Sequence, residues 1–272
     1  MTDINPGQAL DRIIEVMARL RDPVNGCPWD LQQTWHSLVP YTLEEAYEVA
    51  DAIETLDKES LPNELGDLLF QVVFYSRIAE EQNLFDLQQV IHQLCDKLEQ
   101  RHPHVFTDKN ASDKNATDLT SGQLEQAWHN AKVNERKEKQ QHSAVDDIPL
   151  SLPALSRAQK LQRRAANEGF DWRHHDAVFE KVDEEMLELK QALAEGDPLK
   201  IQDEMGDLLF TVVNLSRHLN LDAESCLRQA SRKFEKRFRA VESYYQQQNQ
   251  KISDIPDDEL EATWQQVKLN NE

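Results

Sequence analysis

Apolar residues recur at three- and four-residue steps along most of the chain, as in Leu65, Leu68, Leu69, Val72 and Val73, which is the period of an amphipathic helix. The two-residue alternation of a half-buried strand is missing, and only seven glycines interrupt the pattern. This predicts an all-α protein. The order of elements reads as an opening helix, a loop carrying Pro28-Trp29-Asp30 or Phe170-Asp171-Trp172, and two helices joined by a short turn. A long helix and a short final helix follow. Leu61-Pro62 and Glu195-Gly196-Asp197-Pro198 mark the two turns.

That order occurs twice because the chain repeats itself. Glu64-Leu65-Gly66-Asp67-Leu68-Leu69-Phe70 returns as Glu204-Met205-Gly206-Asp207-Leu208-Leu209-Phe210. At the same offset Glu44, Glu45 and Glu48 fall on Glu184, Glu185 and Glu188, and Arg77 on Arg217. With a slightly shorter offset Lys97 pairs with Lys233, Arg101 with Arg237, Trp128 with Trp264, and Lys132 with Lys268. The fold expected is therefore two tandem bundle domains of four to five helices each. The first spans 1–135, with a mobile polar loop at about 107–123, and the second 157–272. Between them 136–156 reads as an extended linker, because Ile148-Pro149-Leu150-Ser151-Leu152-Pro153 does not continue a helix.

Charge narrows the function. The net charge of −20 disfavours broad contact with nucleic acid or an anionic membrane, so a phosphate ligand needs a local cationic patch or a metal. The amino-terminal residues lack the apolar stretch of a signal peptide and no run approaches a membrane span, which predicts a cytoplasmic protein with no membrane contact. Cys27, Cys95 and Cys226 are widely spaced and indicate neither a disulfide framework nor a zinc site.

The acids are grouped. On a helix Glu184, Glu185 and Glu188 share one face, as do Glu204 and Asp207, and a tight turn between the two helices would bring the groups together. Glu45, Glu48, Glu64 and Asp67 repeat the arrangement in the first copy. At an effective dielectric near 20, each like-charge pair at about 4 Å costs on the order of 4 kcal/mol, so a cation must sit between them or the carboxylates must protonate. An all-oxygen donor set selects Mg²⁺, with Mn²⁺ as a substitute. The competing reading, acids solvating the outside of an amphipathic helix, fits poorly: the acids border the apolar stripe, few lysines accompany them one turn away, and both copies keep the pattern.

Cations gather elsewhere. Arg228, Arg232, Lys233, Lys236, Arg237 and Arg239 face a single acid, Glu235, and form a stripe that suits phosphate. Trp264, and Trp128 in the first copy, serve either as core anchors or as stacking surfaces for a base. A di-iron carboxylate bundle is disfavoured, since only Glu99-Gln100-Arg101-His102 supplies the required Glu-x-x-His element.

Glu-Glu-x-x-Glu followed across a helical hairpin by Glu-x-x-Asp resembles the signature of the all-α nucleoside triphosphate pyrophosphohydrolases. The tandem arrangement is similar to the MazG family over nearly the whole chain, through Arg19-Leu20-Arg21-Asp22-Pro23, Gly26-Cys27-Pro28-Trp29-Asp30, Tyr41-Thr42-Leu43-Glu44-Glu45, Gly169-Phe170-Asp171-Trp172 and the two Glu-[Leu/Met]-Gly-Asp blocks. The resemblance implies Mg²⁺-dependent hydrolysis of a nucleoside triphosphate between its α and β phosphates, and a homodimer. It implies that Glu185, Glu188, Glu204 and Asp207 hold the metal. Lys181, Glu184, Lys233, Arg237, Trp264 and Lys268 would contact the nucleotide, and the chemistry of a carboxylate-bound metal points to Glu185, or its neighbour Glu184, as the group that helps position the attacking water. A narrower enzyme for dUTP or a phosphoribosyl nucleotide shares the motif, and a non-enzymatic helical interaction protein is the remaining alternative. The sequence leaves a further protein partner open. The first copy carries Tyr41 where the second has Lys181, and Pro103 should end its long helix just after Arg101, so the second copy is expected to carry the main catalysis.

Overall fold

The computed structural model describes residues 5–106 and 143–270. The polar segment 107–123, Trp128 and Lys132 lie outside the described residues. The chain divides into two compact units, Met1–Lys132 and Val133–Glu272, and no strand occurs among the described residues.

The first unit contains α1 (Pro6–Leu20), α2 (Pro28–Gln32), α3 (Trp35–Glu54), α4 (Leu61–Glu81), α5 (Leu87–Arg101) and the one-turn α6 (Pro103–Phe106). Asn5, Thr34 and Asp86 form capping boxes that satisfy amide groups left open at the starts of α1, α3 and α5. Pro103 stands directly after the C-cap His102 and ends α5 where the sequence predicts. Leu61-Pro62, read above as the turn between α3 and α4, is instead the first turn of α4, where proline lacks only an amide that would have no helical partner. The reversal itself is made at Leu56, held at φ 59°.

Met17, Leu38, Val73, Phe74 and Ile78 form the core of this unit, flanked by Trp35 and Tyr75. Leu65, Leu69 and Val72 stay about half exposed, so the apolar stripe of α4 is shared between the core and an outer face. Arg21 ties the ends together. Its guanidinium donates to both Glu81 oxygens, at 2.6 to 3.1 Å, and to the carbonyls of Asp30 and Gln33. It also lies 5.4 Å from the centre of the Phe74 ring. Burial pushes the Glu81 carboxyl up, but the bonds from Arg21 and Arg77 outweigh it and hold the carboxyl below the usual glutamate range. Gly26 lets the following chain close on this knot, because a Cβ there would sit 2.4 Å from the Asp22 carbonyl.

The second unit contains α7 (Ala154–Asn167), α8 (His175–Glu195), α9 (Pro198–His218), α10 (Ala223–Gln247), a 3₁₀ turn (Ile252–Asp254) and α11 (Asp257–Asn270). Helices α8 and α9 form the closest pair. Gly196, left-handed at φ 73°, ends α8, Asp197 caps α9, and Pro198 opens it. Buried Gln159 and Gln162 on α7 reach the Leu221 and Phe210 carbonyls, each at 2.8 Å, and dock α7 against α9 and the turn that follows it. Fully buried Tyr245 on α10 bonds the Thr263 hydroxyl of α11 at 2.7 Å.

The expected linker is corrected at its end. Ile148 is buried, Arg164 of α7 donates to the Ala144 carbonyl, and helix begins at Ala154 with Pro153 as its cap.

Candidate metal and nucleotide site

Helices α8 and α9 carry Glu184, Glu185 and Glu188 on one side of their turn and Glu204 and Asp207 on the other. Carboxylate oxygens of Glu185, Glu188 and Glu204 lie within 4.8 Å of one another. Asp207 stands outside that group, one turn along α9, yet its charge still acts on Glu204. The structure therefore gathers three of the four expected metal ligands and leaves the fourth close by. Loss of water around Glu204, then the charges of Glu188, Asp207 and Glu185, push its carboxyl above the ordinary glutamate range.

Glu185 is the centre of the group. Its side chain is 6% exposed. Lys181 reaches its Oε1 at 2.9 Å and the exposed Glu184 Oε1 at 2.8 Å, and these bonds hold the Lys181 ammonium charged. Glu185 Oε2 is buried with no hydrogen-bond partner. A buried carboxylate oxygen left unsatisfied is costly unless something else binds it. An orphaned oxygen among two further carboxylates fits a hard divalent cation, as the all-oxygen donor set also requires.

The remaining predicted contacts lie on other helices. Lys233 and Arg237 lie on α10, and Trp264 and Lys268 on α11. Helix α10 packs more extensively on α7 and α11 than on α9. Trp264 is half-buried, with its ring 5.4 Å from that of Phe234, so within the chain it anchors α11 to α10.

The MazG nucleotide pyrophosphohydrolase domain matches residues 33–106 and 173–241, which enclose both carboxylate hairpins. The chain belongs to the MazG nucleotide pyrophosphohydrolase family. It is 50% identical over 263 residues to the nucleoside triphosphate pyrophosphohydrolase of Escherichia coli K12, covering 95% of this chain and 97% of that one. A second relative is the nucleoside triphosphate pyrophosphohydrolase/pyrophosphatase MazG of Thermotoga maritima, 40% identical over 266 residues and 98% of each chain. The similarity to a nucleoside triphosphate pyrophosphohydrolase of Mycolicibacterium smegmatis is partial, at 37% over 60% of this chain and 48% of that protein. Trp264 and Lys268 fall beyond the matched domain segments.

Both domain copies of this MazG protein keep the carboxylates but surround them differently. In the first, oxygens of Glu45, Glu48 and Glu64 also lie within 4.8 Å, with Asp67 adding its charge. Desolvation, then Asp67 and Glu48, push the Glu45 carboxyl up. Tyr41 occupies the place of Lys181 and meets Trp29 edge to face at 5.7 Å. The first site thus lacks the ammonium that holds Glu185 in the second.

Sequence reasoning missed one further tie. Asp171 accepts bonds from Arg217 and, at 3.0 Å, from His218, and so fixes the loop before α8 to the end of α9. Its carboxyl loses water, which raises its pKa, but Arg217 and then His218 bring it below the usual aspartate range. The shared Phe170-Asp171-Trp172 and Pro28-Trp29-Asp30 motifs were the available signal.

Proposed function

We propose that this enzyme hydrolyses nucleoside triphosphates between the α and β phosphates, releasing the monophosphate and pyrophosphate, with Mg²⁺ as cofactor and the second unit as the main seat of catalysis. The observation that carries this reading is the orphaned, buried Glu185 Oε2 set among Glu188 and Glu204, with Lys181 fixed on the other oxygen. It is supported by relatives of nearly equal length named as nucleoside triphosphate pyrophosphohydrolases.

Glu185, Glu188 and Glu204, with Asp207 beside them, would hold the metal. Bound there, Mg²⁺ supplies a Lewis acid that neutralises phosphate charge and makes water a better nucleophile. Glu184 is exposed and oriented by Lys181, which places a carboxylate where it can take a proton from the attacking water. The water oxygen would bond to the α-phosphorus as its bond to the bridging oxygen breaks, and pyrophosphate would leave with that electron pair. Lys233 and Arg237 would provide cations for that charge.

Broad base tolerance belongs to the same proposal. Stacking on an aromatic ring does not discriminate strongly between bases. A homodimer is also part of it. Leu187, Leu193, Leu209 and Phe210 leave the α8–α9 hairpin with a large exposed apolar surface, which a second copy would cover. Among the described residues no helix is long and apolar enough to cross a membrane, and we place the enzyme in the cytoplasm.

Product analysis with a panel of nucleoside triphosphates tests the reading. Monophosphate and pyrophosphate should appear in equal amounts with several different bases, and a chelator should abolish both. Diphosphate with inorganic phosphate would overturn the bond assignment, and turnover of dUTP alone would favour the narrow enzyme.

A further inference from the structure

The first unit holds a concavity that plays no part in the carboxylate chemistry. Trp35, His36, Val39, Tyr75 and Phe85 line a cavity of about 510 Å³, within the range of small-molecule sites. It forms where the start of α3, the last third of α4 and the turn into α5 meet. Trp35 and Phe85 are nearly parallel, 21° apart with ring centres 6.2 Å from each other. The polar atoms of two lining rings are already engaged. Trp35 Nε1 donates to the Tyr75 carbonyl at 3.3 Å, and the Tyr75 hydroxyl lies 2.8 Å from the Thr42 hydroxyl. Trp35 and Tyr75 also pack against the core, so the walls are held rigidly and offer ring surface.

The chemistry selects the occupant. Three aromatic walls favour a flat ring, which stacks on them with little regard to its substituents. His36, exposed, provides a hydrogen-bonding group. Among the described residues neither lysine nor arginine lines the cavity, and the chain carries a net charge of −20, so the described walls offer a polyphosphate no compensating charge. The cavity also separates the two copies. At the repeat offset His175, Asp176, Phe179 and Leu215 stand opposite Trp35, His36, Val39 and Tyr75. Phe85 in Asn83-Leu84-Phe85-Asp86 has no counterpart in Asn220-Leu221-Asp222.

We propose that the first unit binds an uncharged nucleoside or free nucleobase in the aromatic cavity formed by Trp35, His36, Val39, Tyr75 and Phe85. This is a ligand site distinct from either carboxylate cluster, and its ligand is the apolar part of a nucleotide without its phosphates. It does not depend on the reaction proposed for the second unit.

Calorimetric titration of the full chain with adenosine and with cytidine, in metal-free buffer, tests it. Saturable binding is expected for at least one of them. Phe85→Ala removes an exposed wall and should weaken that binding about tenfold; Val39→Trp fills the cavity from an exposed position and should abolish it. Glu188→Gln, in the second unit, should leave it unchanged. Melting curves of both cavity variants confirm that they are folded. Absence of saturable binding would overturn the proposal. So would binding that survives both cavity changes, or binding lost in Glu188→Gln, which would place the nucleoside in the second unit. If Phe85→Ala and Val39→Trp instead alter only the concentration at which the chain dissociates into smaller species, the face is an interface between copies and the proposal fails.

Discussion

In Glu185→Ala, pyrophosphate release is expected to fall by about 10³-fold, whereas Glu45→Ala should stay within about threefold of the wild type. The first change removes the buried carboxylate that Lys181 holds and that offers Oε2 to a metal. A metal centre contributes several kcal/mol of charge stabilisation to such reactions, and each 1.36 kcal/mol is a factor of ten in rate. The second change alters a cluster with Tyr41 in place of the lysine. Loss of activity should not come from unfolding, because removing one of three crowded carboxylates relieves repulsion in the metal-free chain. Melting temperatures without metal should therefore be unchanged or higher in both variants, while the rise on adding Mg²⁺ should shrink. Steady-state kinetics with both variants decide the matter. If Glu45→Ala is the damaging change, the first unit is the working copy.

Arg21→Ala should destabilise the first unit by about 1.5–3 kcal/mol, the range for losing hydrogen bonds to a charged group, because Arg77 still pairs with the Glu81 left behind. Arg21 is 8% exposed and Glu81 29%, so solvent screens the pair from the Glu81 side. The substitution also strips donors from the carbonyls of Asp30 and Gln33 and removes the contact with Phe74. The penalty should depend on pH. Because Glu81 has a depressed pKa in the folded unit, its contribution is fully present above the unfolded glutamate value of about 4.5 and is lost as pH falls through the lower folded value. The difference between wild type and Arg21→Ala in denaturant melts should accordingly be largest near neutrality and narrow in acid. A difference that does not change with pH would mean that packing rather than charge accounts for Arg21.

The hairpins and their acids were legible because a helix converts sequence spacing directly into a shared face, and because the second copy repeats the first. The i to i+4 spacing of Lys181 and Glu185 was equally open to reading. What the sequence hid depends on distant parts of the chain meeting. Arg21 and Glu81 stand 60 residues apart, and Asp171 and Arg217 stand 46 apart. Nothing local marks either partner. Ile148 looked like part of a free linker because proline composition reports backbone bias and not what a side chain finds to pack on. Lys233, Arg237, Trp264 and Lys268 show the opposite limit: their chemistry was readable, but the geometry of α10 relative to the carboxylates was not. The first-unit cavity was invisible for the same reason, being assembled from two helices and a turn.

Gly196 and Leu56 share more than a left-handed backbone. Glu188 and Glu204 stand equally many residues before and after Gly196, and Glu48 and Glu64 equally many before and after Leu56. The second unit spends those residues on a two-residue reversal and early helix, the first on a longer turn and a later start, yet both arrive at the same spacing. Each reversal therefore works as the fulcrum of a balance whose two arms must stay equal. A residue gained or lost on one arm would rotate everything beyond it by about 100° and carry its carboxylate away from the others. The two turns differ in length and composition, with leucine in one where the other has glycine, but the number of residues between the carboxylates is the same.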